Sequence, residues 1–436
     1  MKILYACHQF LPEYYTGTER YTLELAKQMQ KMGHHVMVLT YSYLSNEGMQ
    51  PFAKGQLLNK VYQYDRVPVI AWRHADLHPR VMEPELSFRL QDDYMEEAFE
   101  KFLQEHTFDI LHITHLMRVS PILKVAKCHG LKVVMHLTDY WMICPKATLL
   151  KSDGSLCEGP NFGRNCGKYC YETKWTQALR ERYHHAQNSL HLVDVIISPS
   201  QFLINVFKKN GVDISRFIYL KHGFDYSKVK FFKKGKLVRE GIITFGFLGT
   251  ILPHKGVHVL IEAFKKVALD NIRLKIYGGY FERSDYYQSL LQKVGDDVRI
   301  KFCGEYDFED VSSVLQEIDV VVVPSVWYEN APLTISTAHA HGVPVIATDL
   351  GGMAEMVHDG LDGFTFRMGD SSDLAEKIRL VATNPGLLEK FSQAITPPPR
   401  IEGDAFYLEQ IYTKLLRNEA LIVYETQTGH VPQKGV

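Results

Sequence analysis

Short apolar runs alternate along most of this chain with longer segments in which apolar positions recur at helical spacing. Lys2-Ile3-Leu4-Tyr5-Ala6-Cys7 opens as an apolar run. Thr18 to Met32 then places Leu25, Met29 and Met32 on one helical face until Gly33 stops it, and His34-His35-Val36-Met37-Val38-Leu39 resumes a strand. Strand, helix, strand is the repeating unit of a parallel α/β sheet. Further buried-strand signals stand at Ile110 to Ile113, Val133 to Leu137 and Val195 to Ser198, separated by segments long enough for crossover helices. A second series begins at Ile242 to Leu248, continues through Leu274 to Tyr277, Arg299 to Phe302, Val320 to Val323 and Val345 to Ala347, and ends near residue 395. The pattern predicts an α/β protein with two doubly wound, Rossmann-like domains, 1–223 and 241–395, facing a central cleft at the carboxyl ends of their strands, where such sheets bind ligands.

The segment between the two series, 224–240, interleaves Lys228, Lys230, Lys233, Lys234 and Lys236 with Phe231 and Phe232. It reads either as a solvated linker or as a basic, aromatic contact with a membrane surface. After the second series Pro397-Pro398-Pro399 breaks the chain. Asp404 then stands where it can cap a helix carrying Leu408, Ile411 and Leu415, so 396–423 is expected to cross back to the N-terminal domain, with 424–436 a polar tail.

Composition narrows the function classes. The 436 residues suffice for two or three compact units, and 46% hydrophobic with 23% charged residues is a globular make-up. Lys plus Arg number 49 against 50 Asp plus Glu, so no global charge draws the chain to nucleic acid, and any anion site must be local. No stretch approaches the roughly 20 apolar residues of a membrane span, and the apolar run in Met1 to Leu11 is shorter than a signal-peptide core. These features imply a cytoplasmic protein; the basic linker adds the alternative of peripheral contact at the inner face of a membrane.

Two loops of the second series suit an anion. Gly249 and Thr250 end its first strand, and Pro253-His254-Lys255-Gly256 opens a helix whose free amides and nearby ammonium favour phosphate. Glu329 and Asn330 leave the strand Val320 to Val323 just before Pro332, Leu333 and Thr334 begin the next helix, so a carboxylate for sugar hydroxyls lies beside amides for a second phosphate. Gly17 and Thr18 follow the first strand of the N-terminal domain and allow close backbone approach. In that domain His136, on the strand Val133 to Leu137, and Asp139, next to Trp141, are candidates to face the reacting sugar and the acceptor. A satisfied core histidine is the alternative for His136. His112 and His115 follow a neighbouring strand. An insertion over 144–170 reads Cys144-x12-Cys157-x8-Cys166-x3-Cys170 with Gly154, Gly159, Gly163 and Gly167 between. Four thiolates suit a structural zinc ion; reduced cysteines, an iron–sulfur cluster and disulfides are the alternatives.

Taken together these residues resemble the family-4 glycosyltransferases, retaining enzymes of the GT-B fold. Thr16-Gly17-Thr18-Glu19 is similar to the family's Gly-Gly-x-Glu loop, and Gly249 to Gly256 to its Gly-Arg-x-x-x-x-Lys-Gly segment, with Thr250 in place of the arginine. The Glu-x7-Glu signature matches at Glu329, but its second carboxylate falls on Thr337, and Thr138 replaces a histidine common before Asp139. The resemblance implies a donor that is a nucleotide-diphosphate sugar, with Lys255 against the diphosphate, Glu329 on the transferred sugar and Thr337 near the ribose. It implies a saccharide or lipid-linked acceptor in cell-surface polysaccharide or glycolipid synthesis, and chemistry that requires no cofactor. Losing the arginine's fork removes a charge-assisted contact worth about 1.5–3 kcal/mol. A nucleotide-sugar epimerase on the same fold and a noncatalytic sugar-binding scaffold are the rival readings.

Overall fold

The computed structural model describes residues 1–42, 48–52, 56–75, 91–229, 241–280 and 283–420. The chain divides into two units, Met1–Gly223 with the chain from Ile401 onward, and Phe224–Arg400.

The first unit is built on a sheet in the order β3-β4-β5-β2-β1-β6-β7-β8-β9. Its parallel part comprises β1 (Lys2–Cys7), β2 (His35–Tyr41), β5 (Val67–His74), β6 (Ile110–Ile113), β7 (Lys132–His136), β8 (Val195–Ser198) and β9 (Phe217–Tyr219). All of β1 beyond Lys2 is buried, because helices cover both faces of a parallel sheet and its strands become continuous apolar runs. The hydrophobic pattern predicted none of β5, β9 or the two strands β3 (Gln50–Phe52) and β4 (Leu57–Tyr64), which add an antiparallel edge to β5. β4, paired between β3 and β5, carries the polar Asn59, Lys60 and Gln63 among only partly buried positions, so its apolar signal is weak.

The helix Gly17–Lys31 opens with a capping box: the Thr16 amide donates to Glu19 Oε2 at 2.8 Å. Its buried Leu25, Ala26 and Met29 share a core with Ile401, Ala405, Leu408 and Tyr412 of the last described helix, Ile401–Leu416. That helix therefore packs within the first unit. Asp404 is not its cap. It lies inside the first turn, 2% exposed, and accepts from the Tyr21 hydroxyl at 2.6 Å and the Gly223 amide at 3.0 Å.

The second unit is a six-stranded parallel sheet, β12-β11-β10-β13-β14-β15. The strands are β10 (Ile243–Leu248), β11 (Ile272–Tyr277), β12 (Ile300–Gly304), β13 (Val320–Val323), β14 (Val345–Thr348) and β15 (Gly363–Phe366). Strand order reverses between β10, which pairs with β11 on one side, and β13 on the other, so a topological switch point lies at their carboxyl ends. Phe224 donates its amide to Pro399 O at 2.8 Å and the Tyr226 hydroxyl bonds Pro398 O at 2.8 Å, tying the two chain passages at this unit's boundary. Residues 230–240, which hold most of the basic and aromatic positions of the linker, and the tail 424–436 lie outside the described residues. Among those described, no helix is long and apolar enough to cross a membrane.

Candidate active site

The second unit assembles its candidate site at the switch point. After β10 the chain turns through Gly249 and a short helical turn, Pro253–Lys255, before Gly256 caps the helix Val257–Lys265. Gly256 has φ +73°, and a Cβ there would lie 1.8 Å from Pro324 O, so only glycine lets this loop rest against the end of β13. The Val326 amide reinforces the contact by donating to His254 O at 2.8 Å.

That approach brings Lys255 to Glu329, with Nζ 2.7 Å from Oε1 and 5.2 Å from the Trp327 ring centre. Two residues that the sequence reading passed over complete the setting: Ser325 Oγ donates to the same oxygen at 2.9 Å and Trp327 Nε1 at 2.8 Å. Glu329 is 6% exposed. Burial alone would raise its pKa, but the charge of the Lys255 ammonium and the hydrogen bonds from Lys255, Trp327 and Ser325 outweigh it and hold the carboxyl below the usual range. All three donors converge on Oε1, so Oε2 is the carboxylate oxygen left for a ligand. From behind, the Gly352 amide donates to Glu329 O at 2.8 Å, and a Cβ on Gly352 would lie 1.5 Å from Asn330 O.

The other residues expected at the donor site belong to the same unit. Pro332 precedes the helix Leu333–Ala340, and Thr334 anchors its first turn by donating to Leu248 O at 3.3 Å. Asn330 is buried and Thr250 exposed. Thr337 sits in the middle of that helix, 5% exposed.

In the first unit Gly17 and Thr18 form the opening turn of their helix, after β1. The carboxyl ends of β6 and β7 hold a small cavity lined by Thr114, His115, Met135, His136, Thr138 and Asp139. Asp139 is firmly held: Oδ2 lies 2.7 Å from His115 Nε2 and Oδ1 accepts from the Trp141 amide at 2.8 Å. Because the Met117 amide donates to His115 Nδ1 at 3.1 Å, the ring proton resides on Nε2 and points at Asp139.

His136 has the surroundings of the satisfied core histidine given as its alternative. It is 2% exposed, its Nε2 lies 3.2 Å from the Tyr21 hydroxyl, and its Nδ1 lies 2.7 Å from His112 Nε2. Both nitrogens are committed, leaving none for a sugar. Burial first, then the neighbouring His112 and His222, push its pKa well below the ordinary value, so the ring is neutral. His112 continues the buried chain to the Tyr412 hydroxyl.

Cys144, Cys157 and Cys166 are buried, Cys170 is half-buried, and all four are free thiols. No three of their sulfurs lie within 4.8 Å of one another. The closed tetrahedron of a zinc site, whose sulfurs stand roughly 3.8 Å apart, is therefore not formed. Among the described residues the group that meets this spacing is Cys7, His8 and Glu19.

Two parallel α/β sheets in tandem are the architecture of GT-B glycosyltransferases, and solved structures of that class match nearly the whole chain. Sucrose-phosphate synthase from Thermosynechococcus elongatus has a TM-score of 0.74 at 16% identity, covering 96% of this chain and 100% of that one. Anabaena HepE in complex with UDP and glucose has a TM-score of 0.65 at 17% identity, covering 96% and 99%.

Residues 15–228 match the family described as Glycosyltransferase Family 4 and residues 229–396 that described as Glycosyl transferases group 1. The chain belongs to this glycosyltransferase family. Phosphatidyl-myo-inositol mannosyltransferase of Mycobacterium leprae is 31% identical over 144 residues, 33% of this chain and 37% of that protein. Lipopolysaccharide 1,2-N-acetylglucosaminetransferase of Salmonella typhimurium is 26% identical over 226 residues, 46% of this chain and 58% of that protein. These alignments take in less than two thirds of either relative's length.

Proposed function

We propose that the chain transfers a sugar, with retained anomeric configuration, from a nucleotide-diphosphate donor to a hydroxyl of a saccharide or lipid-linked acceptor. The observation that carries this reading is the Lys255–Glu329 pair at the β10–β13 switch point, 2.7 Å apart. A diphosphate seated on the Val257 and Leu333 helix starts meets amides and the Lys255 ammonium, which take up charge as the bond to the sugar breaks. Glu329 Oε2 accepts from hydroxyls of the transferred sugar. Gly249, Thr250, Asn330, Pro332, Leu333 and Thr334 shape the donor site, and Thr337 contributes one hydroxyl toward the ribose. Gly17 and Thr18 are the first unit's candidate amides for a ligand.

Asp139, fixed by His115 and Trp141, accepts from the acceptor hydroxyl; His136 is a packing residue in this scheme. A phosphate oxygen of the donor takes the acceptor proton as the hydroxyl attacks from the face the diphosphate leaves, so no protein base is required. The complexes of HepE with UDP, UDP and glucose, and UDP-glucose make UDP-sugars the first donors to test. The lipid and lipopolysaccharide in the relatives' names support a role in cell-surface glycan or glycolipid synthesis; the location proposed with it is the cytoplasm, with peripheral contact at the inner membrane face.

Incubating the purified chain with a panel of nucleotide sugars and acceptors, read by mass spectrometry, tests the reading. Acceptor-dependent release of nucleoside diphosphate, lowered about a hundredfold by Glu329→Ala with the fold retained, is expected. Isomerised donor without acceptor dependence would identify an epimerase. Donor binding without turnover would identify a noncatalytic sugar-binding protein, the reading that Thr250 and Thr337 favour.

A further inference from the structure

The first strand and the first helix of the chain bring a thiol, an imidazole and a carboxylate to one point, and the chemistry above uses none of them. Strand β1 ends at Cys7, His8 follows it, and Glu19 stands in the first turn of the helix Gly17–Lys31. Coordinating atoms of these three residues, one from each, lie within 4.8 Å of one another. Cys7 and Glu19 are fully buried, and the His8 side chain is 12% exposed.

Two independent features point to a ligand between them. The first is an orphaned carboxylate oxygen. The capping box turns Glu19 Oε2 toward Thr16, which donates from its amide at 2.8 Å and from its hydroxyl at 2.5 Å. Oε1 is left facing the end of β1, where it has no hydrogen-bond partner. His8 Nε2 stands 3.9 Å from it, too far for a hydrogen bond. A carboxylate oxygen bare in the interior is costly unless a cation meets it. The second feature is slack at the other two groups. Cys7 Sγ lies 3.9 Å from both His8 Nδ1 and Thr22 Oγ1, so no short bond fixes sulfur to ring. The ring is held instead by packing on His115, with centres 3.9 Å apart.

We propose that Cys7, His8 and Glu19 bind a divalent transition-metal ion through the sulfur, one ring nitrogen and Glu19 Oε1. Sulfur and imidazole beside a single carboxylate select an ion of the zinc or cobalt type over calcium or magnesium, which take oxygen ligands. In a tetrahedral site such donors stand about 3.3–3.6 Å apart, so the three close by roughly 1 Å on binding, a movement to which the partly exposed His8 ring contributes by turning. Binding replaces the Cys7 S–H bond with a metal–sulfur bond, and the proton passes to solvent. Thiolate and carboxylate then cancel the two charges of the ion, so the buried centre is neutral. The fourth position falls to water entering beside His8. Held in this way, the ion ties the end of β1 to the first turn of the helix. The site lies within the first unit and stands whether or not sugar transfer is found.

The test is cobalt(II) titration of the full, chelator-treated chain, followed by displacement with zinc. About one equivalent of cobalt with thiolate-to-metal absorption in the near ultraviolet, lost on adding zinc, is expected. Glu19→Gln keeps an acceptor for Thr16 while removing the carboxylate, and His8→Phe keeps a ring to pack on His115; each should weaken cobalt binding about tenfold or more. Cys7→Ser should abolish the thiolate absorption, whereas Cys170→Ser and Cys303→Ser should bind as the wild type does. Zinc should raise the Tm of the wild type and leave that of Glu19→Gln unchanged. If Cys7→Ser does not fold, Glu19→Gln and His8→Phe decide the matter. Three results would overturn the proposal: no thiolate absorption with cobalt in excess, absorption of wild-type affinity in both Glu19→Gln and His8→Phe, or absorption lost in Cys170→Ser and retained in Cys7→Ser.

Discussion

Replacing Lys255 by methionine keeps the length of the side chain and removes the cation that faces Glu329. The carboxylate would then keep Ser325 and Trp327 as donors at 2.9 and 2.8 Å, but lose the ammonium at 2.7 Å while remaining 6% exposed. Breaking a buried pair from one side costs about 3–5 kcal/mol. The Lys255 side chain is 27% exposed, so solvent already weakens the interaction, and about 2–3 kcal/mol is the reasoned loss. For a unit of this size that corresponds to a fall in Tm of roughly 5–10 °C.

The pH dependence gives a sharper check. The depressed Glu329 pKa stabilises the wild type above the unfolded carboxyl value of about 4.3, and the contribution is lost as pH falls through the lower folded value. Without Lys255, burial raises the carboxyl instead, so the variant is penalised at neutral pH and relieved once acid protonates Glu329. Urea unfolding by circular dichroism should therefore show a large wild-type-to-variant difference at pH 8 and a smaller one at pH 5. Adding Glu329→Gln should restore more than half of the loss at pH 8. A difference under about 0.5 kcal/mol, an equal difference at both pH values, or a double variant no better than the single one would refute the reasoning.

Asp404 works in the opposite direction: burial raises its pKa to about 6, so its ionisation costs stability that returns as pH falls from 6 toward 4. Asp404→Asn should flatten that slope by about 2–3 kcal/mol in a pH series of urea unfolding. Gly352→Ala should cost more than about 3 kcal/mol or abolish soluble expression, because its Cβ would meet Asn330 O, whereas Gly386→Ala, with open space around its Cβ, should be near neutral by thermal melt. Asp139→Asn is isosteric but turns one acceptor into a donor facing either His115 Nε2–H or the Trp141 amide. It should cost about 1–2 kcal/mol, measured by chemical unfolding; a neutral result would mean the His115 proton lies elsewhere.

The runs Ile3 to Cys7 and Val320 to Val323 announce strands because parallel sheets bury both faces, and no rival structure suits so short and apolar a stretch. The hairpin β4–β5 escaped because it turns at Asp65 and Arg66, both at positive φ but neither a glycine nor an asparagine, the residues by which such turns are read. The linear chain also displays Lys255 and Glu329 as separate loop features, 74 residues apart.

What the sequence by itself determined is therefore local: which segments become strands and helices, and which loops carry cation, carboxylate and glycine. Tertiary structure decided the partnerships. Lys255 meets Glu329 because β13 pairs with β10 across the switch point, an adjacency of non-consecutive strands that no local pattern encodes. His136 faces Tyr21 and His112 because the distant helix Ile401–Leu416 closes over the same core and brings Tyr412 to His112. A side chain's chemistry depends on what desolvates it and what donates to it, and in a folded chain those neighbours come from far along the sequence.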